Sequence, residues 1–237
     1  MQNPFENIEE EKIWTFAILL YVALNGLSFQ VRGPLLSNIQ NTFQVSESLL
    51  GLIAPFSTLS FAFFALFTGM MAGRINIKKA LLVGLGFTAL ITSLVGLSPI
   101  YLALLGLLSL RGVAAGVPGG ICRPMLGHLH SGDRGKIFNI NEAVWAAGAA
   151  GGPLFVTLVL PFGSWRLVYL LLGLLLVPII LIMGFTKFPS SGFDERPVDL
   201  KDLGKMLKNP ILVGILIAVF LNVGVEGGFF TWLPYFL

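Results

Sequence analysis

Seven apolar runs recur along this chain of 237 residues. Each is close to the roughly 20 residues that a helix needs to cross the hydrocarbon core of a bilayer. This pattern predicts an all-α integral membrane protein. The runs cover residues 13–36, 49–72, 79–97, 100–122, 140–160, 165–186 and 211–237.

The composition agrees with residence in a membrane. Hydrophobic residues make up 55% of the chain and charged residues 11%, which leaves too few charges to coat the surface of a soluble domain. The formal net charge is +3, but the cations lie in short loops and not on one continuous face. Nucleic acid is therefore not an expected partner. We expect the partner to be a lipid bilayer, and the location to be the plasma or inner membrane.

Several kinds of site are not expected. Cys122 is the single cysteine, so it cannot form an intrachain disulfide or a cysteine-rich metal site. His128 and His130 lack carboxylate or cysteine companions, which argues against a metal site. No cluster of nucleophile, base and orienting group is evident, so we expect no enzyme, catalytic residue, metal or cofactor. The acidic amino terminus is a poor signal peptide, and the first run should remain as a span.

Positive charge is distributed unevenly between the two sides of the predicted spans. Of the fifteen Lys and Arg residues, two (Arg32 and Arg111) lie within spans and Arg166 alone lies on one side. Cationic loops remain in the cytoplasm, so we expect a cytoplasmic amino terminus. The end of the seventh run should then emerge outside. The twelve cations on the cytoplasmic side are Lys12, Arg74, Lys78, Lys79, Arg123, Arg134, Lys136, Lys187, Arg196, Lys201, Lys205 and Lys208.

Loop lengths indicate an internal repeat. The connections after the first three runs are long, tight and short (37–48, 73–78 and 98–99), and the next two are again long and tight (123–139 and 161–164). This rhythm suggests two three-helix units in inverted orientation. The expected divisions are a cytoplasmic terminus (1–12), a six-helix bundle (13–186), a cytoplasmic linker with an amphipathic helix that begins near Asp199 (187–210), and a seventh span (211–237).

Five polar residues inside the spans are candidates for a solute or ion pathway. A charge at the middle of a span is expensive, so we expect Arg111 to face the bundle interior, as a functional group or as a structural one bonded to neighbouring helices. Asn222 and Glu226 lie four residues apart on one helix face, and Glu226 is a candidate proton or cation site. Asn25 and Gln30 lie deep in the first run.

Three residues near the expected outer boundary are interpreted differently. Arg32 lies near the outer end of the first run, where its side chain could reach the interface by snorkelling. Trp232 and Tyr235 could form part of an aromatic belt or a wall on which a sugar stacks. The belt is the simpler explanation of the two.

The turn at residues 69–79 carries a family signature. Gly69 and Gly73 are four residues apart, a spacing that lets two helix backbones approach closely. The turn resembles the Gly-x-x-x-Asp-Arg-x-Gly-Arg-Lys motif of major facilitator superfamily transporters, in which Gly69, Arg74 and Lys78 match. Gly73 stands where the family has an acidic residue, so it cannot take part in the charge latch of that family.

Three further motifs resemble the same family. Arg111 is followed by small residues and glycines, as on the fourth helix of these transporters. Gly148, Gly152 and Pro153 match a Gly-x-x-x-Gly-Pro core of the antiporter branches, although ordinary helix packing explains the same spacing. The Gly-x-Glu pattern that ends at Glu226 resembles the seventh helix of sugar-transporting members, including the fucose-permease branch.

The resemblance implies secondary transport of a small solute by alternating access, coupled to protons. Sugar uptake and efflux of drugs or metabolites both remain open. It also implies that the chain consists of one transporter half, the linker that follows it and the first helix of a second half. We therefore expect this chain alone not to catalyse coupled transport, and to need a second half or another copy of itself.

Seven spans also occur in two other classes of membrane protein. A seven-helix receptor is opposed by the cytoplasmic amino terminus, and the seventh run contains no lysine for a retinal Schiff base. A membrane scaffold that does not transport stays open.

Overall fold

The computed structural model describes residues 4–189, 204 and 206–236, and these residues form helices and turns without strands. Seven of its helical stretches are long and apolar enough to cross a membrane, which confirms the predicted all-α membrane fold. The helices are α1 (Pro4–Gln30), α2 (Arg32–Phe43), α3 (Glu47–Leu50), α4 (Ile53–Met71), α5 (Ile77–Val95), α6 (Tyr101–Leu129), α7 (Arg134–Val159), α8 (Trp165–Leu175), α9 (Val177–Phe185) and α10 (Pro210–Phe236).

Two loops that the sequence analysis expected to be long are mostly helical, so those expectations were wrong. The segment 123–139 is divided between α6 and α7, which leaves a short turn at residues 130–133. The segment 37–48 continues α2 as far as Phe43. Hydropathy marks where the hydrocarbon core ends, whereas a helix can continue into the polar interface. The loop rhythm therefore does not support the internal repeat.

Glycines bring two pairs of helices into backbone contact. A methyl group added at Gly112 of α6 would lie 2.3 Å from the carbonyl oxygen of Ser57 on α4. A methyl group added at Gly148 of α7 would lie 2.0 Å from the carbonyl oxygen of Ala23 on α1. Neither approach leaves room for a Cβ atom, so glycine is required at both crossings.

The same two pairs of helices fit an inverted repeat. The second span (α4) packs on the fourth (α6), and the first span (α1) packs on the fifth (α7). If the first, second and third spans are matched with the fourth, fifth and sixth, the contact between the second and fourth spans corresponds to the contact between the fifth and first. This correspondence is the arrangement expected of two inverted three-helix units.

One end of the bundle, here called the basic end, contains the turns at residues 72–76 and 130–133. Gly73 and Arg74 lie there in a short 3-10 turn, Ala72–Arg74. The Lys78 ammonium group donates hydrogen bonds to the carbonyl oxygens of Gly184 (3.0 Å) and Thr186 (2.7 Å), at the end of α9. The basic turn is thus tied to the last helix of the bundle, because lysine satisfies carbonyls that a helix terminus leaves free.

The seventh span, α10, packs differently from the other six. Its most apolar window has no buried residue, and its main contacts are with α2, near the end opposite the basic end. Most of the amphipathic helix predicted within 187–210 lies outside the described residues.

A pair of glycines on α6 tests the backbone contact. We expect Gly112→Ala to destabilise the protein by about 1–3 kcal/mol, because α4 must move to admit the methyl group. Gly106→Ala is the matched control, since a Cβ at Gly106 meets no atom within 4 Å. Thermal unfolding of the purified protein in detergent measures both changes. Equal transition temperatures for the two variants would contradict the contact.

Candidate functional site

A cavity of about 560 Å³ lies between the bundle and α10. Its walls come from α1, the start of α2, α4, α6, α7 and one face of α10. This volume suits a small organic molecule. Four of the five predicted pathway residues lie on its walls: Asn25, Arg111, Asn222 and Glu226.

Arg111 lies inside the bundle, on the cavity wall. The residue is 6% exposed, and its Nε donates a hydrogen bond of 3.1 Å to Thr92 Oγ1 on α5. Thr92 is the neighbouring-helix partner that the sequence analysis expected for a charge at this depth. The hydroxyl orients the guanidinium group but supplies no negative charge.

Arg32 lines the same cavity, so the interpretation of this residue as a snorkelling side chain was wrong. The residue is 5% exposed, its Nη2 donates to Ser57 Oγ at 3.0 Å, and its guanidinium carbon lies 5.0 Å from the centre of the Phe29 ring. Its Nη1 has no hydrogen-bond partner among the described residues. The sequence did contain a signal, because Asn25, Phe29 and Arg32 recur at the spacing of one helix face.

Arg123 and Glu142 form an ion pair on the cavity wall that the sequence analysis did not assign to the site. Arg123 Nη1 lies 3.1 Å from Glu142 Oε1, and both side chains are more than half exposed. Asn141 Nδ2 also donates to Glu142 Oε1, at 3.3 Å. The signal for Arg123 was its spacing from Gly112, because eleven residues are close to three helical turns and both residues line the cavity. Such an exposed pair contributes little stability.

One face of α10 closes the cavity. Asn222 and Glu226 lie on this face, as their spacing predicted, and Val219, Val223 and Gly227 share it. Glu226 is partly buried. No ion pair between Glu226 and a described cation is present within 4.0 Å.

The end of α10 is fastened to α2 and α3. The Tyr235 hydroxyl lies 2.9 Å from Gln40 Oε1 and 3.3 Å from Glu47 Oε1. Trp232 and Tyr235 pack against the apolar core at this end and do not line the cavity. These two rings therefore do not form a wall of the cavity on which a sugar could stack. The contact joins α10 to the bundle at the end opposite the basic end.

The remaining candidates pack between helices. Gln30 is 5% exposed and does not line the cavity; a methyl group at Gly152 would lie 2.7 Å from its Cβ. Gly148 and Gly152 thus place α7 against α1, and α7 continues through Pro153. Gly69 makes an ordinary contact, since its Cβ would lie 3.7 Å from the Gly120 carbonyl oxygen.

No group of three or more His, Cys, Asp and Glu residues that could hold a metal ion occurs in the part of the chain that the structure describes. The chemistry available on the cavity wall is therefore that of guanidinium, amide, hydroxyl and carboxylate groups. These groups can bind a solute through hydrogen bonds and charge.

Two valines on α10 test which face of that helix borders the cavity. We expect Val223→Cys, in a Cys122→Ala background, to react with a water-soluble maleimide, because Val223 lines the cavity. Val225→Cys is the control: Val225 is 62% exposed but lies outside the cavity lining, where lipid would cover it. The rate of labelling in open membrane sheets measures the reactivity of both cysteines. Faster reaction at residue 225 would contradict the placement of α10.

Comparisons with known proteins agree with this architecture. A family model described as Major Facilitator Superfamily matches residues 18–237. An uncharacterized MFS-type transporter of Bacillus subtilis (strain 168), YceJ, is 31% identical over 115 residues, which are 48% of this chain and 28% of that protein. The crystal structure of a bacterial homologue of the human lysosomal transporter Spinster, inward-facing and unoccupied, matches with a TM-score of 0.76 at 18% identity.

The match to the Spinster homologue covers 100% of this chain and 56% of that chain. The chain thus spans little more than half the length of that transporter. The family model is matched over nearly the whole sequence and the fold agrees with it. The chain therefore belongs to the major facilitator superfamily of membrane transporters.

Proposed function

We propose that the protein moves a small solute across the membrane by alternating access, coupled to protons, and that the cavity beside α10 is the solute site. The observation that carries this proposal is a cavity with charged and amide groups on its walls, between a close-packed six-span bundle and a loosely packed seventh span. Membership of a transporter family supports membrane transport as the activity. The direction and the coupling are part of the proposal.

The proposed orientation places the amino terminus and the basic end in the cytoplasm. The bias of positive charge supports this assignment. The Tyr235 contact with Gln40 and Glu47 would then close the outer side of the cavity. In this orientation the half of α10 nearer the cytoplasm is exposed, and the proposed opening of the cavity is on that side. Movement of α10 away from α2 at its outer end would open the other side.

The proposed division of labour follows the packing. The bundle at residues 13–186 acts as one rigid wall, residues 187–210 act as a linker, and α10 belongs to the opposite wall. Since the most apolar window of α10 has no buried residue, a complete opposite wall requires additional helices. These would come from a second transporter half or from another copy of the chain.

The glycine motifs support the rigid wall. Gly148 and Gly152 hold α7 against α1, and Lys78 ties the basic turn to the end of α9. In the proposal these contacts let the bundle move as a single body. The cavity then opens alternately by displacement of the bundle relative to α10.

Glu226 is the proposed proton site. It faces the cavity from the element that would move, and no described cation holds it as a carboxylate. Protonation would remove its charge while the cavity is open to one side, and release would follow on the other side. Asn25, Arg111 and Asn222 are the proposed solute-binding groups, because they line the same space.

The substitution Glu226→Gln separates coupling from solute movement. We expect uptake or efflux driven by a pH gradient to fall about tenfold or more, because the amide cannot carry the proton. Solute exchange without a gradient should persist. The assay uses proteoliposomes in which the chain is assembled with a second transporter half or with another copy of itself, and sugars, organic anions and cationic drugs are the tested solutes. Asp133→Asn, outside the cavity, is the control.

Gradient-driven transport unchanged by Glu226→Gln would show that the proton site lies elsewhere. Coupled transport by a monomer of these 237 residues would contradict the requirement for a second half or another copy of the chain.

A further inference from the structure

Arg32 and Arg111 are two buried cations on one cavity wall without a carboxylate to balance them. Both residues line the cavity and are at least nine-tenths buried. Among the described residues, the ion pair within 4.0 Å joins Arg123 to Glu142, which leaves Arg32 and Arg111 without an acidic partner. Burying a guanidinium group without a counter-ion costs free energy. A bound ligand with a negative charge would offset this cost.

The hydrogen-bond donors of the two arginines are also incompletely satisfied. Arg32 donates from Nη2 to Ser57, and its buried Nη1 has no partner among the described residues. Arg111 donates from Nε to Thr92, and no described group accepts from its two terminal nitrogens. The donors of a guanidinium group match the two oxygens of a carboxylate or a phosphate.

The charges facing the cavity favour an anion over a cation or a neutral solute. Arg123 and Glu142 neutralise each other. Glu226 on α10 is then set against both Arg32 and Arg111, so these three groups carry a net positive charge even when Glu226 is ionised. A cationic solute would be repelled, and a neutral solute would leave the excess charge uncompensated.

The rest of the wall is apolar and aromatic. Phe29, Phe61 and Trp145 line the cavity from the bundle, and Val219 and Val223 line it from α10. A cavity of about 560 Å³ holds an organic molecule larger than a simple inorganic ion. The solute therefore has an apolar body as well as a charged group.

We propose that the solute is a small organic anion, with an aromatic or aliphatic body and a carboxylate or phosphate group that binds between Arg32 and Arg111. This inference rests on the proposed transport function, since it names the class of solute for the same cavity. Glu226 opposes the anion across the cavity. The anion and the ionised carboxylate therefore compete for the two arginines, which links solute binding to protonation.

Binding to the purified protein in detergent tests the class of solute without any gradient. The probes are benzoate, its neutral isostere benzamide, the cation benzamidinium and phenyl phosphate, and tryptophan fluorescence or calorimetry measures each affinity. We expect the two anions to bind, benzamide to bind about tenfold more weakly or worse, and benzamidinium not to bind. Binding of benzamide or benzamidinium as tight as that of benzoate overturns the inference. Absence of binding by both anions at millimolar concentration does so too.

Variants locate the bound anion. Arg32→Gln should weaken benzoate binding about tenfold or more, and Arg32→Lys should restore part of the affinity because it keeps the charge. Arg134→Gln is the control, since Arg134 lies outside the cavity and donates to the Gly127 carbonyl oxygen. Unchanged benzoate affinity in folded Arg32→Gln overturns the proposed position.

Glu226→Gln provides a test that does not depend on the folding of arginine variants. It should tighten benzoate binding, because it removes the competing carboxylate. Weaker or unchanged binding in this variant overturns the proposed charge balance. The two proposals can also fail separately. Transport of a neutral solute without anion binding would overturn this inference alone. Anion binding without transport would overturn the proposed function alone.

Discussion

Backbone contact between α4 and α6, and between α1 and α7, determines the shape of this protein. Lipid gives no hydrophobic drive for helices to associate, so close packing must hold the spans together. Glycine at positions 112 and 148 lets each pair approach until a Cβ would overlap a carbonyl oxygen. The paired helices carry most of the cavity residues. Among the described residues, the glycines of the seventh span make no comparable contact, and in the proposed mechanism this difference separates the bundle from the part that moves.

The bundle side of the cavity carries charges that a structure selected for stability alone would avoid. Arg32 and Arg111 lie inside the bundle, held by the hydroxyl groups of Ser57 and Thr92. A hydroxyl group orients a guanidinium but does not neutralise it, and in our proposal both side chains therefore bind the anionic group of the solute. Local arrangements of this kind that oppose stability are expected at functional sites. The bundle tolerates the free-energy cost of burying the two guanidinium groups because packing at other points holds its helices together.

The number of spans and the buried Arg111 could be predicted because both depend on local properties of the sequence. Hydrophobic length sets the spans, and the cost of a charge at mid-depth directs Arg111 inward. The ends of α6 and α7 could not be predicted in this way, since hydropathy reports the lipid boundary and not the end of a helix. The linker helix near Asp199 stays a prediction, because it lies mostly outside the described residues.

Arg32 shows why the cavity was only partly predictable. Its sequence position near the end of a run suggested the interface, but α1 ends at Gln30 and α2 begins at Arg32, so the side chain turns inward onto Ser57. The pairing of Arg123 with Glu142 depends on how α6 and α7 are placed against each other. No local pattern encodes that placement. Asn222 and Glu226 were predictable as a pair, but their position opposite the arginines required the path of α10.

The central claim is that the bundle and α10 move relative to each other so that the cavity opens at one end at a time. Pulsed dipolar spectroscopy in a Cys122→Ala background measures this most directly, with one spin-label pair at Gly132 and Ile211 at the basic end and another at Asn41 and Phe236 at the opposite end. The account predicts two populations, in which a shorter distance at one end accompanies a longer distance at the other, and a shift between them with pH or bound solute. A single fixed distance for each pair under all conditions would contradict it, and would identify the protein as a static scaffold.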